Sequence, residues 1–330
     1  MSILCPLLAI IALIFLVIFA VGPLGLHVLF AIVVPYTGLA LFLTAFVYRI
    51  ILWARSPVPF HIPTVCGQQQ SLSWIKGNNL ESPQTTSGVI WRMLLEVCCF
   101  RSLFRNDRVE LFDAQSALYR GSRYLWLGGL LFHWSLLVIL VHHLRFFVEP
   151  VPLFVTSLQS IDGLFQLALP TFLITDGLVV IALTYLFVRR VVNPHVRYIS
   201  LSSDYFPLLL IGGIAISGIL MRHVIRVDLL EVKHYAMSML TFDPTIPREV
   251  GLIFHVHLFL VCLLLAYFPF SKLMHMPGVF MSPTRNLKND SRAKRHINPW
   301  NHPVKVHTYA EWEDEFRDAL KEAGIPVEKE

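Results

Sequence analysis

Four histidines in two apolar stretches are the residues of this chain whose types and spacing can do chemistry. His257 and His275 lie 18 residues apart in one stretch, and His133 and His143 lie ten apart in another. Because an α-helix turns by about 100° per residue, 18 steps predict that His257 and His275 share one face of one helix. An unpartnered imidazole is costly in hydrocarbon, so histidines within a membrane are functional candidates.

Depth in a membrane sorts these histidines into two pairs. If the first stretch rises and the second descends, His143 lies level with His257, and His133 lies level with His275. Each pair can then clamp one planar cofactor between two helices. Haem b is the natural candidate, since its iron takes two axial imidazoles and its apolar ring suits the interior of a bundle. The sequence therefore predicts two haem b groups; the alternative is four ordinary buried histidines.

Two neighbouring histidines fit this geometry less well. His142 lies about 180° from His133 on the helix, and His255 lies about 200° from His275, so both are predicted to be spare. The spacings also differ, because ten residues rise about 15 Å and eighteen rise about 27 Å. Equal depth therefore requires a tilt and a break in the second helix, which we expect at Pro269.

Composition places these histidines in a membrane protein. The 330 residues are 55% hydrophobic and only 15% charged, and the mean hydropathy is +0.61. Long apolar runs predict an all-α, multi-pass transmembrane bundle. The five cysteines form no Cys-x-x-Cys pair, which argues against an iron–sulfur cluster, structural zinc, a disulfide framework or covalent c-type haem. The positive charge is concentrated in particular loops, so it concerns orientation and no nucleic-acid partner is predicted.

Six spans are predicted, and the two haems would lie between the third and the sixth. The first is interpreted as an uncleaved span, because no positive charge precedes it, and Pro35 is expected to kink the second. The spans are 3–21, 26–53, 124–147, 166–188, 204–221 and 250–274. They divide the chain into two N-terminal helices (1–55), a loop (56–123), a four-helix dihaem core (124–276) and a tail (277–330).

Lysines and arginines predict the orientation of the spans. They concentrate in the 56–123 loop, the 189–203 loop and the tail, which six spans place on one side of the bilayer. That side is predicted to be cytoplasmic, so both termini lie inside the cell membrane. Within the first loop, residues 89–105 mix bulky apolar residues with arginines, which predicts an amphipathic helix on the membrane surface or against a partner subunit. Residues 309–323 predict a short charged helix.

Several of these segments resemble a known family. The segment from Phe268 to His275, with a histidine 18 residues earlier, is similar to the membrane cytochrome b, or gamma, subunit of respiratory nitrate reductase. So are His133 with its partner ten residues on, the 193–197 segment and the 204–222 span. The resemblance covers roughly residues 124–285. The first 123 residues extend beyond it and look like the M subunit of the membrane complex tied to dissimilatory sulfite reduction, and like the cytochrome b of related heterodisulfide-reductase-like menaquinol complexes.

The resemblance implies further properties. It implies two b haems on His133, His143, His257 and His275, a menaquinone site near the outer haem, and a cytoplasmic iron–sulfur subunit beside other membrane or periplasmic redox subunits. The family places a lysine near the quinone, after the outer histidine, whereas this chain has none between Arg145 and Arg189.

Other polar residues are candidates for supporting roles. We expect haem propionates to be bound by arginines near the haems, and the quinone and its protons to be handled by outer polar groups. The propionate candidates are Arg145, Arg197 and Arg222, and the quinone and proton candidates are His142, Glu149, Asp162 and Asp176.

These features together predict a dihaem b-type cytochrome in an anaerobic, sulfur-linked respiratory complex. It would move electrons across the membrane between menaquinol or menaquinone at the outer face and the cytoplasmic iron–sulfur partner. No side chain is predicted to be catalytic, because the cofactors perform the redox chemistry. Two alternatives remain open: an anchor subunit without quinone turnover, and a proton-coupled transporter, although no internal repeat favours the latter.

Overall fold

The computed structural model describes residues 2–57, 78–113, 116–163, 171–247, 250–289 and 306–328, and along 107–120 it describes the backbone only. The chain begins with two apolar helices, α1 (Leu4–Val21) and α2 (Val34–Ala54). A π-helical turn at Leu29–Val33 leads into α2, directly before Pro35. The irregularity expected at this proline is thus a π-turn. Both helices coincide with predicted spans.

The first loop contains more structure than the sequence predicts. Its amphipathic segment forms α3 (Thr86–Cys99) and α4 (Arg101–Phe104), separated by Phe100 in a left-handed conformation. An antiparallel hairpin follows, with β1 at Asp107–Asp113 and β2 at Ser116–Gly121. The other elements of the described chain are helical, as the predicted all-α class requires, and this short hairpin is an addition that was not predicted. The alternation of charged and apolar residues along 108–111 favours a strand.

The third predicted span is α5 (Arg123–His143), extended by a 3₁₀ turn at Leu144–Phe146. A short helix that was not predicted, α6 (Leu153–Asp162), follows it. The fourth predicted span is shifted along the chain, since α7 runs from Ile174 to Val192, and α8 (Pro194–Ile199) comes directly after. Residues 171–173 are not helical, and 166–170 of the predicted span lie outside the described residues.

The fifth predicted span is α9 (Ser202–Ile219), which continues as a π-helix at Leu220–Ile225. A further helix that was not predicted, α10 (Leu229–Leu240), precedes α11 (Gly251–Tyr267). Three short helices complete the described chain, and the last confirms the predicted charged helix. They are α12 (His275–Gly278), α13 (Pro283–Asn286) and α14 (Tyr309–Glu322).

Five helices of the described residues are long and apolar enough to cross a membrane, and this is a membrane protein. They are Leu4–Val21, Leu29–Ala54, Arg123–Phe146, Ser202–Ile225 and Gly251–Phe270. The fourth predicted span, α7, is too charged to join them by composition, because it carries Asp176, Arg189 and Arg190. That it also crosses the bilayer stays a prediction.

The helices pack side by side as a bundle. The helix α5 lies against α7, α11 lies against α2 and α9, and α1 lies against α9 and α11. Gly128 allows α5 and α7 to approach closely, since a Cβ atom there would lie 2.5 Å from the Tyr185 ring. Large apolar side chains such as Phe15, Phe19 and Ile181 point outward, as expected for helices in lipid. We call the bundle end where α5 begins the His133 end, and the end where it finishes the His143 end.

The second histidine stretch does not form one continuous helix, which corrects the prediction that His257 and His275 share a helix face. The helix α11 ends at Tyr267, and two 3₁₀ turns follow, with Ser271 extended between them. Pro269 cannot donate a helical hydrogen bond, and the Ser271 hydroxyl accepts from Leu273 N. His275 then begins α12. The break expected at Pro269 is therefore present, and it changes the route by which the chain reaches His275.

Candidate functional site

The inner candidate pair, His133 and His275, lies at the His133 end of the bundle. Their ring centroids are 6.0 Å apart and their planes are nearly perpendicular, at 87°. His133 donates from Nδ1 to the carbonyl oxygen of Gly129 at 2.7 Å, and His275 donates from Nδ1 to that of Lys272 at 2.9 Å. Because a carbonyl oxygen only accepts, each ring carries its proton on Nδ1 and keeps the lone pair on Nε2.

The outer candidate pair, His143 and His257, lies at the His143 end. These rings are nearly parallel, at 10°, with centroids 6.5 Å apart. His143 donates from Nδ1 to the carbonyl oxygen of Ile139 at 2.7 Å. His257 Nδ1 lies 2.9 Å from the Ser217 hydroxyl, which itself donates to the carbonyl oxygen of Ile214. The Ser217 oxygen can thus accept the His257 proton, so all four imidazoles present Nε2 as the free acceptor.

Both separations fit a metal bound between two imidazoles. A metal–imidazole bond is about 2.0 Å long and the bound nitrogen lies about 1.1 Å from the ring centre, so two rings on opposite sides of one ion have centroids roughly 6.2 Å apart. The observed separations of 6.0 and 6.5 Å bracket this value. No group of three or more metal-ligating side chains occurs within the described ranges. Two ligands per centre suit a macrocycle that supplies the remaining ligands itself.

Aromatic rings cover the inner pair. Phe100 and Phe132 contact the His133 ring edge-on, at 5.0 and 4.9 Å. The turn that carries Phe100 is fixed to α5 by two indoles, because Trp126 and Trp134 donate to the carbonyl oxygens of Cys99 and Cys98. The α3–α4 turn therefore closes the His133 end over this histidine.

An ion pair anchors the turn that positions His275. Lys272 donates to Asp204 at 2.6 Å, and Arg190 of α7 lies 3.8 Å from the same carboxylate. Asp204 also accepts from Leu201 N at 3.0 Å, at the start of α9. Since the Lys272 carbonyl accepts from His275, this carboxylate links α7 and α9 to the inner candidate ligand.

The outer pair depends on a glycine. A Cβ atom at Gly218 would lie 3.3 Å from Cε1 of His257, which is closer than most packed side chains tolerate. Gly218 follows Ser217 directly, so one turn of α9 both leaves room for the ring of His257 and accepts its proton. Neither residue was singled out from the sequence, because a serine and a glycine in an apolar helix carry no specific signal.

Three of the four predicted quinone and proton residues, His142, Asp162 and Asp176, form a polar cluster at the His143 end. His142 is buried, and neither of its ring nitrogens has a hydrogen-bond partner. Its Nδ1 lies 3.7 Å from Asp162. That carboxylate accepts from the Thr175 backbone at 3.0 Å and from its hydroxyl at 2.6 Å. Asp162 thereby joins α6 to the start of α7.

Asp176 belongs to the same cluster through a residue that was not predicted to be functional. Its Oδ2 lies 3.5 Å from Nε2 of His223, on the π-helical end of α9. Arg222 donates to the carbonyl oxygen of Thr171 at 3.1 Å, and its buried Nε has no partner. The sequence signal for His223 was its position directly after Arg222 at a predicted span end.

The other candidates lie apart from one another. Arg145 donates to Gln159 at 2.9 Å. Glu149 forms an ion pair with Lys233 of α10, which brings a lysine to the His143 end from a different part of the chain. Arg197 is exposed on α8, at the His133 end. The structure therefore does not gather the three propionate candidates around one site.

His255 faces away from the outer pair, towards the segment that precedes α2. Its ring contacts His27 with centroids 5.4 Å apart, and its Nδ1 lies 3.2 Å from the carbonyl oxygen of Gly251. His257, two residues later, faces α9 and α5. This arrangement agrees with the prediction that His255 is spare with respect to the pairs.

The fold and the site together define a membrane helical bundle with a histidine pair at each of two depths. Residues 91–295 match the family described as nitrate reductase gamma subunit, and the chain belongs to that family. The matched range contains all four histidines of the pairs and leaves α1 and α2 outside.

Two relatives resemble the chain over most of its length, and both are named Hdr-like menaquinol oxidoreductase cytochrome b-like subunit. The protein of Archaeoglobus fulgidus is 45% identical over 280 residues, which are 83% of either chain. That of Archaeoglobus profundus is 41% identical over 283 residues, 84% of this chain and 83% of the relative. The resemblance stated from the sequence is thereby confirmed.

Proposed function

We propose that this chain is a dihaem b-type cytochrome that carries electrons across the membrane, between menaquinol or menaquinone at the outer face and a cytoplasmic iron–sulfur subunit. One observation carries the proposal. Two pairs of imidazoles lie at two depths of one bundle, each pair with both Nδ1 protons hydrogen-bonded and with a ring separation that suits axial ligation. Ordinary buried histidines have no reason to share all three properties.

The residues of the chain hold and orient the cofactors. Haem b, when bound, supplies one-electron redox chemistry. His133 and His275 would hold the inner haem, and His143 and His257 the outer one. The hydrogen bonds to Gly129, Ile139 and Lys272, and to the Ser217 hydroxyl, fix the tautomer that offers Nε2 to iron, as partners of metal-bound histidines do. The two ligands on α5 lie about 15 Å apart along the helix, so the two sites lie at different depths in the bundle.

Quinone chemistry is proposed for the His143 end. The names of the relatives include menaquinol oxidoreductase, and this end collects His142, Asp162 and Asp176 near the outer pair. Unsatisfied buried nitrogens, such as both of those in His142, favour a ligand with its own donors and acceptors. Glu149 and Arg145 lie at the same end, and each already has a side-chain partner.

Propionate binding remains a proposal for the three arginines. Arg222 and Arg145 lie at the His143 end and would serve the outer haem, and Arg197 lies at the His133 end and would serve the inner one. Arg222 is the best supported, because its buried Nε lacks a partner. The exposed side chain of Arg197 equally suits the cytoplasmic excess of positive charge.

The proposed location and partners rest on the charges of the loops and on the names of the relatives. The loops at the His133 end carry most of the lysines and arginines, so we place that end in the cytoplasm, with both termini, in the cell membrane. The relatives are named as subunits of Hdr-like oxidoreductases, which supports a complex with a cytoplasmic iron–sulfur subunit. An anaerobic, sulfur-linked respiratory chain is the proposed setting.

A visible difference spectrum of the purified protein tests the proposal. We expect b-type bands on reduction, two haems per chain, and reduction of both by menadiol. A protein without haem would contradict the proposal and favour the transporter. If dithionite reduces the two haems and menadiol does not, the protein is an anchor subunit and not a quinol-linked electron carrier.

A further inference from the structure

The pair formed by Asp176 and His223 joins two elements at the His143 end. Asp176 lies in the first turn of α7, and His223 lies in the π-helical segment Leu220–Ile225 that ends α9. The carboxylate oxygen Oδ2 is 3.5 Å from Nε2 of the ring. Because a carboxylate accepts, Nε2 carries the proton of the neutral ring, and Nδ1 is the nitrogen that can take up another.

The π-helical segment is what turns His223 towards α7. A π-turn inserts one extra residue, which rotates the side chains that follow by about 100° relative to a continuous α-helix. Such turns occur frequently at functional sites. Phe172 covers one side of the His223 ring, with centroids 5.5 Å apart. Side-chain exposure is 18% for His223 and 13% for Asp176, so the pair is shielded from bulk water but still reachable.

Charged groups from the surrounding elements balance the pair. Arg222, on the same segment, is positive and donates to the carbonyl oxygen of Thr171, just before α7. Asp162 of α6 and His142 of α5 also act on Asp176 electrostatically, as does Arg145 on Arg222. Arg222 lies near two carboxylates, Asp176 and Asp162, so a second positive charge, on an imidazole, would also be balanced. The pair can therefore hold a proton without an uncompensated buried charge.

We propose that His223, oriented by Asp176, is the base that accepts protons from the quinol. The hydroxyl O–H bond of the quinol breaks, a new N–H bond forms on Nδ1 of His223, and the electron pair stays on the quinol oxygen. The product is an imidazolium that the Asp176 carboxylate stabilises. The imidazolium then releases its proton to the outer aqueous side. This inference rests on the proposed function, because it assumes that quinol binds at the His143 end.

The first test is kinetic and uses the haem-loaded protein with menadiol as the electron donor. A positioned base typically contributes 10²–10⁴-fold, so we expect His223→Ala to slow haem reduction by roughly 100-fold or more. Added imidazole should restore part of the rate, which it would not do if His223 only held the helices together. Asp176→Asn should slow reduction less. The control is His234→Gln, on the exposed surface of α10, with unchanged reduction expected.

The second test does not depend on turnover. Diethylpyrocarbonate modifies accessible imidazoles, and mass spectrometry of peptides reports each site. We expect the quinol analogue 2-heptyl-4-hydroxyquinoline N-oxide to slow modification of His223 severalfold and to leave His234 unaffected. The haem content of every variant checks that it has folded.

The outcomes separate this inference from the proposed function. If wild-type haem is not reduced by menadiol, the proposed function fails. If wild type is reduced and His223→Ala matches it, only the inference is overturned. A slow His223→Ala protein that imidazole does not rescue, with no protection by the analogue, assigns His223 a structural role and also overturns it.

Discussion

The ring of His143 lies almost parallel to the ring of His257, while the inner pair His133 and His275 is almost perpendicular. The interplanar angles are 10° and 87°. The difference has a structural cause. Both outer rings come from regular helices, α5 and α11, whereas His275 comes from α12, after the chain has been broken at Pro269. The two candidate haem sites are thus unequal in ligand orientation.

This inequality predicts two different electron paramagnetic resonance signals from the oxidised protein. Perpendicular imidazole planes leave two iron d orbitals nearly degenerate and give a highly anisotropic low-spin signal, and parallel planes split them and give a rhombic one. We expect the anisotropic signal to vanish in His275→Ala and the rhombic signal to vanish in His257→Ala, each with haem content falling from two per chain to one. His255→Leu, on the opposite face of α11, should keep both signals. Loss of both haems in either alanine variant would argue against independent sites.

Ser217 should matter to the outer haem although it does not touch iron. Its hydroxyl accepts the Nδ1 proton of His257 at 2.9 Å, and removing such a partner typically costs 10–100-fold in metal affinity or activity. We expect Ser217→Ala to lose the outer haem more readily in a competition with apo-myoglobin, and to leave the inner haem unchanged. Ser217→Thr keeps the hydroxyl and serves as the control. Equal haem retention in both variants would show that the hydrogen bond is dispensable.

The histidine pattern could be predicted from the sequence because depth and helical period constrain it strongly. Ten residues on one rising helix leave few choices for the partners of His133 and His143. The route to His275 could not be predicted in the same way. The effect of Pro269 depends on Ser271, Lys272 and Asp204, which rebuild the broken segment through contacts with other helices.

The fold shows the same limit. Long apolar runs identify the membrane helices, but α6 and α10 were missed, since short polar helices form through contacts that periodicity does not record. The anchors that hold these elements are distant in sequence: Thr175 binds Asp162 of α6, and Glu149 binds Lys233 of α10. His223 was not predicted to be functional, because no local sequence pattern predicts the π-turn that places it beside Asp176.

Adjacent glycines on α5 should respond differently to the same substitution. A Cβ atom at Gly128 would lie 2.5 Å from the Tyr185 ring of α7, whereas the nearest atom to one at Gly129 is a Leu103 methyl at 3.7 Å, an ordinary contact. Overpacking typically costs about 1–3 kcal/mol. We expect Gly128→Ala to lower the thermal unfolding midpoint of the detergent-solubilised protein and Gly129→Ala to leave it unchanged. Similar midpoints for both would mean that α5 and α7 are not packed so closely.

Glu81 should make the loop between α2 and α5 sensitive to acid. Burial raises the pKa of this carboxyl, but the hydrogen bond from Arg101 and the charges of Arg101, Arg105 and Arg92 outweigh it, so the pKa lies below its usual value. The resulting stability is fully present above the unfolded pKa of about 4.3, and it is lost as the pH falls through the lower folded value. Glu81→Gln removes the ion pairs with Arg101 and Arg105 at every pH. Proteolysis of the 78–105 segment should therefore accelerate in wild type as the pH falls below about 4.3, and should be fast and nearly independent of pH in Glu81→Gln. Glu322→Gln, at the exposed end of α14, is the control and should be cleaved as wild type is. If Glu81→Gln is also cleaved as wild type is, this carboxylate does not stabilise the loop.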